Sequence, residues 1–463
     1  MNFPPFASAV GVILLLLFSG SHLLRLFPVK HEGLPDYLSW SWLLGVSYFA
    51  LGVSLMSWMG LCTLGPLLGL CLLPPALSYF QKTAPRGPRP LHFWSFLPAL
   101  LAVGLSVLIC QADSVKEVDA QMRWVQHGQW MAETGSLVPE RMEDPSWAKL
   151  HPSYPPLLSS VIGFALQLPG ANREGTPLLF GPFFFLALLG ILHGFCIRNT
   201  SSKWTFIWVA GFAFTPCFAW LARDGLTVGM AADSALADIP LALFLTALAA
   251  LSIRILEGED SPPHRGLLLL VGAGSMLVKQ EGAAFVLASL PLSTLFVVWL
   301  SQKNGQNSIS WRPFGWLFSG AIAAWILWAG VSTNMPVAAG ENYLSVEGFQ
   351  NLWTGFDRLP QIGLRVLEEF FSVNRWGGLW FVAVAATAVG LYRKNTSALF
   401  LTLLLLLGIG VSVAGFMSSG WNGGDIKGLM DSSLTRLLMH HAPLVLLLGV
   451  KSLHSAKEKR QPL

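Results

Sequence analysis

ADIPLALFLTALAALSIRILEGEDSPPHRGLLLLVGAGSMLVKQEG, residues Ala237 to Gly282, carries the pattern that decides the fold. Two apolar runs, from Ile239 and from Gly266, each approach the roughly 20 residues a helix needs to cross a bilayer. Pro240 falls in the first helical turn, where a missing backbone N–H costs nothing. Charge stands at the edges of the runs: Asp238 ahead of the first, Lys279 and Glu281 behind the second. Ionisable groups at the rim of a membrane run are costly and usually have partners.

The same pattern repeats outward in both directions. Apolar runs start near Ala9, Trp40, Leu61, Phe93, Pro177, Trp204, Ile239, Gly266, Ala283, Pro313, Trp376, Ala398 and Leu437. That makes about thirteen spans and predicts an all-α, polytopic transmembrane helix bundle. Composition agrees. Of 463 residues, 53% are hydrophobic and only 12% charged, about half the charged share of a soluble domain. A soluble enzyme, a disordered tail protein and a nucleic-acid binder are excluded on that ground. The 19 Trp and 45 Gly suit membrane helices and their interfaces. The five cysteines lie in or beside apolar runs without metal-ligand spacing, and read as small core residues. The first run has no preceding Lys or Arg and no A-x-A site after it, so it is expected to be a retained span.

One run is different. Pro155 to Leu168 is apolar but too short to cross, and suits an interfacial or re-entrant helix. If it stays on one face, Lys82/Arg86/Arg89, Arg198/Lys203, Lys303/Arg312, Arg393/Lys394 and Lys457/Lys459/Arg460 all share one side, as the positive-inside rule asks. If it crosses, that rule fails halfway. The expected topology therefore has the N-terminus outside and the C-terminus inside a bacterial plasma membrane. The net charge of +4 then splits into about +11 inside and −7 outside. Four regions of one membrane unit follow: residues 1–110 with the N-terminal spans, 111–176 as an outer loop with juxtamembrane helices, 177–452 with the remaining spans, and 453–463 as a cytoplasmic tail.

The outer regions hold the candidate chemistry. Gln111 to Trp130 reads QADSVKEVDAQMRWVQHGQW, an amphipathic helical pattern with Asp119 near its start. A carboxylate beside lipid tends to hold a proton and can act as general base on a hydroxyl; the plain alternative is a helix cap or a surface charge. His151-Pro152-Ser153-Tyr154-Pro155-Pro156 is stiffened by three prolines. His151 there is either a contact to phosphate or sugar, or part of a simple turn. Asp224, Asp233 and Asp238 lie on one short outer segment, and carboxylates so grouped, Asp233 and Asp238 above all, can hold a divalent cation, although spacing alone does not require one. Asp238 can equally cap the helix it starts. Lys279 and Glu281 pair with each other or with something outside, unless they only mark a hairpin tip. Arg436, at the outer start of the last run, suits a phosphate clamp because a guanidinium makes two parallel hydrogen bonds; a headgroup anchor is the alternative. The Asn-x-Ser/Thr sequons at Asn199 and Asn395 fall in inner loops and read as chance matches.

Taken in order, V-D-A-x-x-x-W around Asp119, H-P-x-Y-P-P-L from His151, A-D-I-P-L-A-L-F around Asp238, K-Q-E-G from Lys279 and S-S-L-T-R-L-L around Arg436 resemble the GT-C superfamily of integral-membrane glycosyltransferases. The likeness is to the bacterial branch related to protein O-mannosyltransferases and the lipid A aminoarabinose transferase. It covers roughly Gln111 to Leu448, with four spans ahead of the first catalytic-type loop where one is usual. The resemblance implies a sugar transferred from a polyprenyl-phosphate donor to a glycan, lipid or protein acceptor on the non-cytoplasmic face, with membrane lipids as further partners. It implies Asp119 as catalytic base and a substrate-binding role for Asp238 and Tyr154. His151, Lys279, Glu281 and Arg436 are the remaining candidate substrate contacts. A transporter or flippase of a lipid-linked or sugar substrate is the alternative, and would show paired broken helices with ionisable groups near mid-membrane. A polymerase or ligase of surface glycans is a neighbouring enzyme class.

Overall fold

The computed structural model describes residues 6–79, 93–112, 120–138, 154–219, 221–223, 226–228, 237–304, 312–333, 335, 346–419 and 426–453. Apart from one small hairpin, these residues are helical where they are ordered into elements. The chain runs through α1 (Phe6–Leu26), α2 (Leu34–Trp58), α3 (Leu64–Tyr79) and α4 (Phe93–Ala112), then α5 (Gln126–Thr134) and α6 (Leu157–Leu166). It continues with α7 (Phe180–Asn199), α8 (Ser202–Ala213), α9 (Pro216–Ala219), α10 (Asp238–Leu256), α11 (Pro262–Val278), α12 (Gln280–Asn304) and α13 (Arg312–Ser332). The last group is α14 (Val346–Thr354), α15 (Leu359–Phe370), α16 (Val373–Trp376), α17 (Leu379–Tyr392), α18 (Thr396–Ser418), α19 (Ile426–Met439) and α20 (Ala442–Leu453). Between α9 and α10, strands β1 (Leu221–Arg223) and β2 (Leu226–Val228) pair antiparallel; the helical reading of the sequence gave no sign of them.

Among the described residues, nine helical stretches are long and apolar enough to cross a membrane, the last of them Ile426–Leu453, which takes in α19, the turn at His440–His441 and α20. Eight begin near a run expected to span, and the ninth begins at Ile426, eleven residues ahead of the run expected from Leu437. The other four expected spans are shorter helices: α3 with 16 residues, α8 with 12, α11 with 17 and α17 with 14. At 1.5 Å per residue, α8 rises only about 18 Å, and Pro216 opens a separate turn just beyond it. The protein is thus a multi-pass membrane bundle.

Burial sorts the helices. α10 is apolar around its whole circumference and buried over 94% of its apolar window, as expected for a helix with no lipid or water face. α7 beside it is nearly as enclosed. α4, α12, α13 and α18 instead turn Leu101, Leu295, Trp325 and Leu406 outward. In a bilayer such apolar side chains meet lipid tails at no cost.

The short run after Tyr154 forms a ten-residue helix, α6, buried from Leu157 to Ala165. Pro156 is the residue ahead of α6, and ten residues rise about 15 Å, half of a hydrocarbon core. The amphipathic stretch after Asp119 forms a turn of π-helix, Ala120–Val125, followed by α5. A purely interfacial helix was expected there. Instead α5 packs on α6, and Ala120, Trp124, Val125 and Trp130 are buried. Gly128 and Gly163 make this packing close: a Cβ on Gly163 would stand 2.8 Å from the Gly128 carbonyl oxygen. The pair is also tied to the α2–α3 turn, where the Cys62 N–H donates to the Gly135 carbonyl (2.8 Å) and the Leu137 N–H to Ser57 Oγ (3.0 Å).

Candidate functional site

Four charged or polar side chains meet at the start of α10. Asp238 is its first residue, and the residue ahead of it, Ala237, makes no side-chain cap. The Asp238 carboxylate bonds to side chains of neighbouring elements. Lys279 Nζ donates to Asp238 Oδ1 (2.9 Å), and His440 Nε2 lies 2.8 Å from the same oxygen. Arg436 Nε donates to Oδ2 (2.8 Å). Asp238, Lys279 and His440 are buried, and Asp238 is only 2% exposed. Glu281 stands 3.7 Å from Lys279 Nζ. An isolated charge in such a place would cost several kcal/mol, on the order of 3–5 when a buried pair is broken.

The local folding explains how the groups reach one another. Lys279 is a single extended residue between α11 and α12, and its carbonyl accepts from Gly282 N–H (3.1 Å), closing a tight turn. The hairpin tip and the ion pair are thus one feature. Arg436 and His440 are spaced i, i+4 in the sequence and so share a face of α19 as it ends. The helix breaks at His440–His441 before α20 begins. His441 turns the other way, stacking on Phe285 with centroids 5.5 Å apart. A helix start, a hairpin tip and a helix break therefore converge on Asp238.

Depth follows from α10 itself. From Asp238 to Arg254 the helix rises about 24 Å, close to the thickness of a hydrocarbon core. Arg254 belongs to a second ionic group: its Nε donates to Glu259 (2.8 Å), and Arg198 and Lys451 bind Glu259 and Glu257. The Asp238 group thus lies at one end of the bundle and not at mid-helix.

The other expected residues fall differently. Tyr154 is buried, with its ring edge-on to Trp124 at 5.6 Å and the Arg123 guanidinium 4.9 Å over its face. It belongs to the α5–α6 unit, which touches α11 but contributes no bond to Asp238. Asp119, His151, Asp224 and Asp233 lie outside the described residues. Among the described residues no group of three or more His, Cys, Asp or Glu is placed to hold a metal ion. His440 was not among the expected site residues. Its spacing from Arg436 was the available signal.

Arg436 is the member of the group open to solvent, at 20% side-chain exposure against 2% for Asp238 and 6% for Lys279. The buried carboxylate fixes two cations, and one of them reaches the surface of the bundle end. Fixed donors of this kind suit an anion arriving from the membrane interface. No protein-family model, curated protein or solved structure matches the chain.

Proposed function

We propose that this protein is a glycosyltransferase that moves a sugar from a polyprenyl-phosphate donor to an acceptor hydroxyl at the bundle end holding Asp238. The observation that carries this reading is the buried Asp238–Lys279–Arg436–His440 group at one end of a membrane bundle. In this reading the prenyl tail lies between helices and the phosphate meets Arg436. The order of the sequence motifs supplies the chemical class.

In the proposed reaction the acceptor hydroxyl gives its proton to the Asp119 carboxylate. Its oxygen forms a bond to the anomeric carbon while the bond from that carbon to the phosphate oxygen breaks. The electron pair leaves with polyprenyl phosphate, and attack from the opposite side inverts the centre. Phosphate is a good leaving group, so the site needs to stabilise charge more than to protonate. Arg436 takes that task, backed by Lys279, while Asp238 holds both in place. Asp238 has both oxygens committed to cations, so in this reading it is a counter-ion and not a metal ligand.

The test uses the full chain in proteoliposomes with a panel of radiolabelled polyprenyl-phosphate sugars. Transfer of label to an acceptor, or release of polyprenyl phosphate, is expected with at least one donor. Arg436→Ala should raise KM for the donor about tenfold or more, the scale of a lost charge-assisted hydrogen bond, and Asp119→Asn should lower kcat. Donor moved intact across the membrane without loss of its sugar would overturn the reading in favour of a flippase.

A further inference from the structure

The segment between α13 and α17 contains a second buried carboxylate that the sequence did not single out. Glu369, near the end of α15, is only 2% exposed. Its Oε1 accepts from Thr435 Oγ1 (2.8 Å) and from Trp376 Nε1 (3.0 Å), and its Oε2 accepts from Arg375 Nη1. Arg375 also reaches Thr435 Oγ1 (3.1 Å). One turn earlier on α19, Asp431 accepts from Arg365 Nη2 (2.8 Å), again from α15.

Thr435 is the residue immediately before Arg436. Asp431 and Thr435 are spaced i, i+4 and form one stripe of α19, tied to α15. Arg436 and His440 form the next stripe, about 100° around the helix, tied to Asp238. α19 is thus held from two sides by two buried carboxylates that act on adjacent residues. α19 ends at Met439, and a turn at His440–His441, not a continuous helix, joins it to α20. A small rotation of α19 would carry the Arg436 guanidinium off its place at the mouth of the site.

We infer that Glu369 is a positioning residue: through the Thr435 hydroxyl it sets the rotation of α19 and so aims Arg436 at a lipid-linked phosphate. This rests on the phosphate-binding role proposed for Arg436. It predicts that phosphate affinity depends on a hydroxyl at residue 435 that never touches the ligand.

The probe is radiolabelled farnesyl phosphate, measured in equilibrium binding to the full chain in nanodiscs, so that no turnover is needed. Thr435→Val keeps the side-chain shape and leaves Glu369 bonded to Arg375 and Trp376. It should weaken binding about tenfold, the scale of one charge-assisted hydrogen bond, with an unchanged melting temperature. Thr435→Ser, which restores the hydroxyl, should return affinity to within about twofold of the original. With a turnover assay, the loss should appear in KM and not in kcat. Unaltered binding by Thr435→Val, beside weakened binding by Arg436→Ala, overturns the positioning role and leaves the phosphate site standing. Weakening by Thr435→Val without rescue by Ser overturns it too, since the effect is then packing. Unaltered binding by Arg436→Ala removes the phosphate site and the positioning role together.

Discussion

Asp238 is a fully enclosed carboxylate whose two oxygens receive Lys279, His440 and Arg436. Buried ion pairs add little net stability when intact, but removing one partner leaves its charges stranded. Asp238→Asn should therefore destabilise the detergent-solubilised protein by about 3–5 kcal/mol, read as the shift in chemical denaturation. Asp238→Leu combined with Lys279→Met should cost less than the two single changes added, because the partners leave together. Additive losses would mean that the pair is not coupled. The sequence exposed Asp238, Lys279 and Arg436 one at a time, because a charge at the rim of an apolar run stands out. Their partnership was hidden, since the bonds join residues 41 and 198 positions apart. Glu369 was hidden for a different reason. It sits in an amphipathic stretch beside a second acid, Glu368, and the packing of α15 against α19 and Trp376 buries it.

At the scale of elements, the helical class and the start of nearly every span follow from hydropathy alone. What hydropathy misses is how the amphipathic pieces are used. The stretch from Ala120 to Trp130 has an apolar stripe, which reads as lipid-facing. The structure instead turns that stripe into the bundle, because two glycines, residues 128 and 163, let α5 lie directly on α6. α15 shows the opposite arrangement. Its Ile362, Val366 and Glu369 face inward, while Leu364 and Leu367, with Phe371 just beyond its end, remain exposed. With Trp353 and Phe356 stacked nearby at 5.6 Å, this segment presents an apolar surface beside the spans. The close approach at Gly163 makes a direct prediction. Gly163→Val would place a branched side chain against the Gly128 carbonyl and Met131. Overpacking of this kind costs about 1–3 kcal/mol. The expected signature is earlier cleavage of the α5–α6 region in limited proteolysis, with the Asp238 group unaffected. Unchanged cleavage would show that the two helices can part without penalty.

Among the described residues, one ionic group stands at each end of α10, the two about 24 Å apart along its axis. The Arg254 layer joins α7, α10, α18, α20 and the α1–α2 link. Arg254 Nη2 donates to the Lys30 carbonyl (3.0 Å), Ser397 Oγ to Glu257 (3.0 Å) and Lys451 Nζ to Asn199 (2.7 Å). A narrow cleft lined by Asp36, Arg198, Arg254 and Glu257 opens here; Arg198 and Arg254 are paired with Glu257 and Glu259, and Asp36 with His31 and Trp40, so this layer reads as a clamp. Its pH dependence has a definite sign. His264 beside Glu259, followed by Arg254 and Arg198, holds the Glu259 carboxyl well below its ordinary value of 4.5 despite partial burial. A depressed carboxylate contributes stability that is complete above the unfolded value and is lost as pH falls towards the folded one. The melting temperature of the solubilised protein should therefore be insensitive to Glu259 near neutrality and fall progressively below about pH 4.5. Glu259→Gln should lower the melting temperature at pH 7 and give a shallower acid decline, because the variant has no proton to take up at this position. The loss should be modest, since Glu259 is more than a third exposed and water screens its partners. Parallel acid profiles for the two proteins would assign the acid sensitivity to other carboxylates and remove Glu259 from the clamp.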